Sequence, residues 1–186
     1  KTIRELRRYR PIVWFLAAYW LYIDGVNTVI KMAVDYGLSL GFAASNLVAA
    51  LLLTQFVAFP AALAFGWLGR RGGARKGIFI ARSVYVGATV YAYFIEGVRD
   101  FFVLAVIVGL VQGGIQSLSR SYFGRLVPEG KSSEFFGFYN MMGKFAAVLG
   151  PLLTGIVARV TGDPRLSILS IVVLFIGGGV LLVVAA

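Results

Sequence analysis

The chain alternates between long apolar runs and short charged or glycine-rich gaps. Six runs can be marked off: from about Pro11 to Leu38, Ala43 to Leu68, Gly77 to Ile95, Phe101 to Val127, Phe135 to Val160 and Leu166 to Ala186. Each is close to or above the ~20 residues an α-helix needs to cross a bilayer. A barrel strand would need only about 10, with polar and apolar positions alternating, and that alternation is absent. The pattern predicts an all-α membrane protein, a bundle of six transmembrane helices, preceded by a basic linker over residues 1–10. Pro11 suits the first turn of a helix, where its missing N–H costs nothing.

The charges between the runs give an orientation. Lys1, Arg4, Arg7, Arg8 and Arg10, then Arg70, Arg71, Arg75 and Lys76, then Arg125 and Lys131 fall in alternate gaps, and so on one side. The other side holds Arg99, Arg159 and Arg165. Eleven basic residues against three predict, by the positive-inside rule, that both termini are cytoplasmic. The same arrangement disposes of a nucleic-acid partner. The net charge is +10, but the basic residues sit at the mouths of apolar runs rather than along a surface stripe. Composition agrees: 59% of residues are hydrophobic and the mean hydropathy is +0.85. There is no Cys and no His. Disulfides, thiol chemistry and the usual zinc sites are thereby excluded, and no cofactor is implied.

The outward turns at Glu96–Asp100 and Thr161–Arg165 are short, so any function must reside in the bundle. Helix one begins inside and helix four outside. Two triplets of opposite topology follow, the 3+3 inverted arrangement of many secondary transporters.

Polar residues within the runs are the candidate chemistry, since an ionisable group in a span faces a cavity or a partner. In the first run Asp24, Asn27, Thr28 and Lys31 fall within about 60° of one direction. Asp24 is about 20 Å along the helix from Pro11, near mid-membrane. It is a candidate substrate or proton site; the plainer reading is a contact that joins helices. Lys31 is placed at the interface. In the fourth run Gln112, Gln116 and Ser119 share a face with Arg120 at its edge. Gly109 and Gly113 give the GxxxG spacing of close helix packing. In the fifth run Asn140 and Lys144 are one turn apart, with Asp24 or Asp35 as the acid Lys144 could meet. Gly143, Gly150, Pro151 and Gly155 mark that helix as bendable and closely packed.

Gly66–Lys76 reads GWLGRRGGARK. It resembles the loop motif of the major facilitator superfamily, Gly-x-Leu-Ala-Asp-Arg-x-Gly-x-Arg-Lys. Gly66, Leu68, Arg71, Gly73, Arg75 and Lys76 match as a cytoplasmic gating loop, whereas Arg70 replaces the usual Asp. LYIDGVNTVIKMAVDYG at Leu21–Gly37 and GLVQGGIQSLSRSYFGRLVPEGKSSEFFGFYNMMGKFAAVLGP at Gly109–Pro151 are similar to the carboxy-terminal half of the bacterial branch related to vacuolar amino-acid effluxers. The resemblance implies helices seven to twelve of a twelve-helix parent in the bacterial inner membrane. It also implies a cavity lined by the first and fourth helices of each half.

The expected function is therefore that of a secondary transporter half, working by alternating access with a missing amino-terminal six-helix half. Its cargo would be a small polar solute, an amino acid being the class the resemblance suggests, with proton coupling through Asp24 as an option. Gln112 and Gln116 would hydrogen-bond the solute, and Arg120 or Lys144 would meet a carboxylate. The rival is a non-transporting scaffold or a self-associating half in the lipid bilayer. An enzyme is disfavoured: Ser117, Ser119 and Ser121 are dense, but there is no His base and no nucleophile elbow.

Overall fold

The computed structural model describes residues 9–184, with the side-chain environments of residues 68 and 70–72 outside the description. Most of the basic linker therefore lies outside the described residues. Eight helices are present among those described: α1 (Arg10–Ser39), α2 (Ala44–Gly72), α3 (Ala74–Tyr93), α4 (Val98–Leu126), α5 (Ser132–Phe145), α6 (Leu149–Thr161), α7 (Pro164–Leu169) and α8 (Val172–Val184). They make an all-helical bundle in which the first four apolar runs are single helices and the last two are each divided.

Five stretches are long and apolar enough to cross a membrane: Arg10–Ser39, Ala44–Trp67, Val98–Leu126, Ser132–Thr161 and Pro164–Val184. The exception among the six expected spans is α3. Its 20 residues would reach about 30 Å, but Arg75, Lys76 and Arg82 dilute its apolar character. Arg82 lies inside the apolar run itself. Its Nη1 donates to Phe175 O of α8 at 2.9 Å, and its guanidinium lies 5.2 Å from the Phe79 ring centre. Gly179 makes room for it, because a Cβ there would overlap the guanidinium. The half-buried guanidinium is thus met by a carbonyl and an aromatic face, while its Nε has no hydrogen-bond partner among the described residues.

The chain turns with glycines where the backbone takes positive φ: Gly41 (83°), Gly73 (88°), Gly130 (82°) and Gly162 (68°). Side-chain carboxylates begin two helices. Asp100 Oδ2 accepts from the N–H groups of Glu96 and Gly97, both at 3.2 Å, ahead of α4. Asp163 Oδ1 accepts from Arg165 N at 2.8 Å to cap α7. Between α7 and α8 the chain tightens into three-residue hydrogen bonds, from Val173 N to Ser170 O and from Leu174 N to Ile171 O.

α1 is the central helix. Phe15, Leu16, Tyr22, Ile23 and Val26 are all buried, and α8 lies against it where a Cβ on Gly178 would come within 3.1 Å of Ala18 O. α4 crosses α2 at the GxxxG positions. A Cβ on Gly109 would meet Thr54 O at 2.8 Å, and one on Gly113 would meet Ala58 O at 2.7 Å. α2 and the α5–α6 pair lie at the periphery and turn large apolar side chains outward: Leu52, Phe56, Phe59 and Leu63 on one, Phe145, Leu152, Ile156 and Val160 on the other.

The fifth span departs from a continuous helix. α5 ends at Phe145, α6 begins at Leu149, and Ala146–Val148 are non-helical. Pro151 supplies the reason: it has no N–H to give to the carbonyl four residues back, and its ring crowds that carbonyl.

Candidate functional site

Three helices open a cavity of about 680 Å³. α1 contributes Tyr19, Ile23 and Asn27, successive turns of one stripe. α4 contributes Gly113, Gln116, Ser117 and Arg120, and α5 contributes Tyr139, Asn140, Gly143 and Lys144, with Ala62 of α2 at the side. Five residues singled out from the sequence therefore share one wall: Asn27, Gln116, Arg120, Asn140 and Lys144. Gln116, Arg120, Asn140 and Lys144 are exposed. The lining includes two basic side chains and no Asp or Glu. The arrangement can offer amide hydrogen bonds and positive charge to a bound molecule. Arg120 is steadied from one side, its guanidinium lying 5.5 Å from the Phe136 ring centre.

Aromatic residues form the floor. Tyr19 and Tyr139 stack with ring centres 4.2 Å apart and planes 25° apart, and Phe123 stacks on Tyr139 at 4.8 Å. Gly143 packs closely beside them: a Cβ there would stand 3.0 Å from the Tyr19 hydroxyl, a tight contact. One turn along α1, the Tyr22 hydroxyl is 2.7 Å from Ser119 Oγ, a buried tie between α1 and α4. These tyrosines carry neither the charge nor the amide that marks a polar group in an apolar run. Tyr19, Ile23 and Asn27 at four-residue spacing were the available signal, which a search restricted to charged and amide residues does not see.

Asp24, Thr28 and Gln112 are not on the cavity wall. Gln112 Oε1 is buried with no hydrogen-bond partner among the described residues. Asp24 is fully buried and faces the break in the fifth span. Its Oδ2 accepts from Val148 N at 3.2 Å and Leu149 N at 2.9 Å, and its Oδ1 accepts from Gly150 N at 2.7 Å. Thr28 Oγ1 donates to the Asp24 carbonyl at 2.7 Å and lies 3.3 Å from Oδ1. Asn27, at the cavity edge, sends its amide N–H to Ala146 O. Neither Lys31 nor Asp35 lines the cavity; both are exposed towards the far end of α1.

The expected gating loop is the α2–α3 junction. Gly73 takes positive φ there, as its turn requires. Arg75 Nη2 donates to Leu182 O at 3.3 Å, Lys76 is exposed, and Gly66 has open space beside it. The Leu68 and Arg71 side chains lie outside the described residues. A second, apolar cavity of about 50 Å³ sits between Val29, Tyr36, Leu51 and Phe101, too small for a solute of several heavy atoms.

The sequence profile described as "Vacuole effluxer Atg22 like" matches residues 1–186. The chain belongs to this family. Among its relatives, the MFS-type transporter YxiO of Bacillus subtilis (strain 168) is 44% identical over 98% of the chain and 42% of its own length. Autophagy-related protein 22-1 of Aspergillus niger is 31% identical over 95% of the chain and 31% of its own length. Autophagy-related protein 22 of Yarrowia lipolytica is 28% identical over 94% and 31%. The chain thus spans about two-fifths or less of these Atg22-like relatives, and each match takes in both α1 and the cavity-bearing α4 and α5.

Proposed function

We propose that this chain forms one wall of the solute path in a secondary transporter, the carboxy-terminal six-helix half of a major facilitator fold. The observation that carries the reading is the open cavity, where Asn27, Gln116, Asn140, Arg120 and Lys144 converge. Four of them are exposed, and exposed amides and cations are costly against lipid. A second half seated on the peripheral α2 and on α5–α6 would close the cavity and remove that cost. Rocking of the two halves about it would give alternating access.

The lining suits a small polar solute with a negatively charged group, held by Arg120 and Lys144 and oriented by the amides. A carboxylate fits, the carboxylate of an amino acid among them. Proton coupling through Asp24, the acid nearest the site on α1, would require its carboxylate to release the three backbone N–H groups it accepts from. The basic end of the bundle, with Arg10, Arg75, Lys76 and Arg125, faces the cytoplasm under this reading, in a bacterial inner membrane. Self-association of the isolated half through the same apolar faces is the second reading, favoured by their exposure.

The complete transporter reconstituted in vesicles tests the proposal. Counterflow of candidate amino acids and simple carboxylates should be abolished by Arg120→Gln combined with Lys144→Gln. Full activity in that double variant would remove the cavity from the transport path.

A further inference from the structure

The fifth span is interrupted near mid-membrane, where free backbone groups have no water to meet. An ordinary helix start leaves its first N–H groups without partners. Here Pro151 has none to leave, and Leu152 N already returns to Val148 O at 3.2 Å. Three donors remain, on Val148, Leu149 and Gly150. All three go to one carboxylate, that of Asp24. On the other side of the gap the Ala146 carbonyl accepts from Asn27, three residues along the same face of α1. Thr28 Oγ1, which donates to the Asp24 carbonyl, packs beside the carboxylate 3.3 Å from Oδ1. Gly150 must lack a side chain, because a Cβ there would overlap both Thr28 Oγ1 and Asp24 Oδ1.

We infer that Asp24 and Asn27 are a two-ended clamp, gripping both sides of the broken fifth span and so fixing where Lys144 and Asn140 stand in the cavity. Lys144 is two residues before the gripped carbonyl, and Asn140 is one turn further. Beyond the Tyr139 stack on Tyr19 and Phe123, the last turn of α5 is lightly held, since Lys144 and Phe145 are exposed. The start of α6, which would attract an anion by its dipole and free N–H groups, is already filled by the protein's own carboxylate. A solute's negative group is thereby directed to Arg120 and Lys144. Asp24 and Asn27 act as positioning residues, and the inference stands whether or not the cavity carries a solute.

The test uses the complete protein in lipid nanodiscs, with two readouts. Hydrogen exchange follows the amides of residues 148–150. A polarity-sensitive label is placed on Asn140→Cys, or on Gln116→Cys as a control on α4; residues 1–186 contain no cysteine, and any cysteine elsewhere in the complete protein is replaced by serine first. Asp24→Asn should raise exchange at 148–150 by about tenfold or more, given three weakened bonds. It should shift the label's emission at position 140 and leave position 116 unchanged. Asn27→Ala, which releases only the α5 end, should shift position 140 alone and decides the matter if Asp24→Asn does not fold. Unaltered exchange in Asp24→Asn, or label signals that stay fixed or move equally at both positions, would overturn the clamp.

Discussion

Two polar clusters share the middle of this bundle, and they are built in opposite ways. Asp24 and Thr28 are buried, and Asp24 is met by three N–H groups and a hydroxyl. Gln116, Arg120, Asn140 and Lys144 are exposed in an open cavity that holds no carboxylate to answer its two cations. Asn27 stands between, giving its amide to a broken helix while edging the cavity. The difference shows that polar residues in a span need not share a task. A group whose bonds are all made inside the protein holds structure. A group left open, at the expense of lipid compatibility, is available to something not in the chain.

Substitutions can break or sharpen that contrast. The largest effect should come from Asp24→Ala. It would strand three N–H groups near mid-membrane, at about 1–3 kcal/mol for each group left unsatisfied. Thermal unfolding in detergent should show a fall in Tm of about 10 °C. Gly150→Ala should follow at about 1–3 kcal/mol, because its Cβ has no room beside Thr28 and Asp24; the same melt would report it. Tyr22→Phe removes one buried tie between α1 and α4. Ser119 keeps its bond to Ile115 O, so a loss of about 1 kcal/mol or less is expected, a few degrees in Tm. Lys31→Ala, on an exposed position away from both clusters, should leave the melt unchanged within about 0.5 kcal/mol.

The legibility of these features follows their range along the chain. Helical spans could be read because a run of apolar residues is a local property. α3 shows the limit, since Arg82 sits in an apolar stretch and, besides the nearby Phe79 ring, is accommodated by a carbonyl and a glycine more than 90 residues away. The break at Ala146–Val148 was half legible. Gly150 and Pro151 announced a bendable helix, but the partner that fills the gap is 126 residues away from Gly150. Asp24 was conspicuous as an intramembrane acid, while its partners are backbone N–H groups, which sequence patterns do not display. The cavity was more accessible to sequence reasoning. Its amides and cations fall at helical spacing on α1, α4 and α5, although the Tyr19–Tyr139 floor was visible only once α1 and α5 were placed side by side.

The central claim is that the open cluster binds solute and the buried cluster holds the wall. Solute-dependent thermal stabilisation of the complete transporter tests it most directly, because a ligand bound only to the folded state raises stability by mass action. The Arg120→Gln, Lys144→Gln double variant should melt at the wild-type temperature without solute and lose the upward shift that a transported carboxylate gives the wild type. A double variant that keeps that shift would contradict the account.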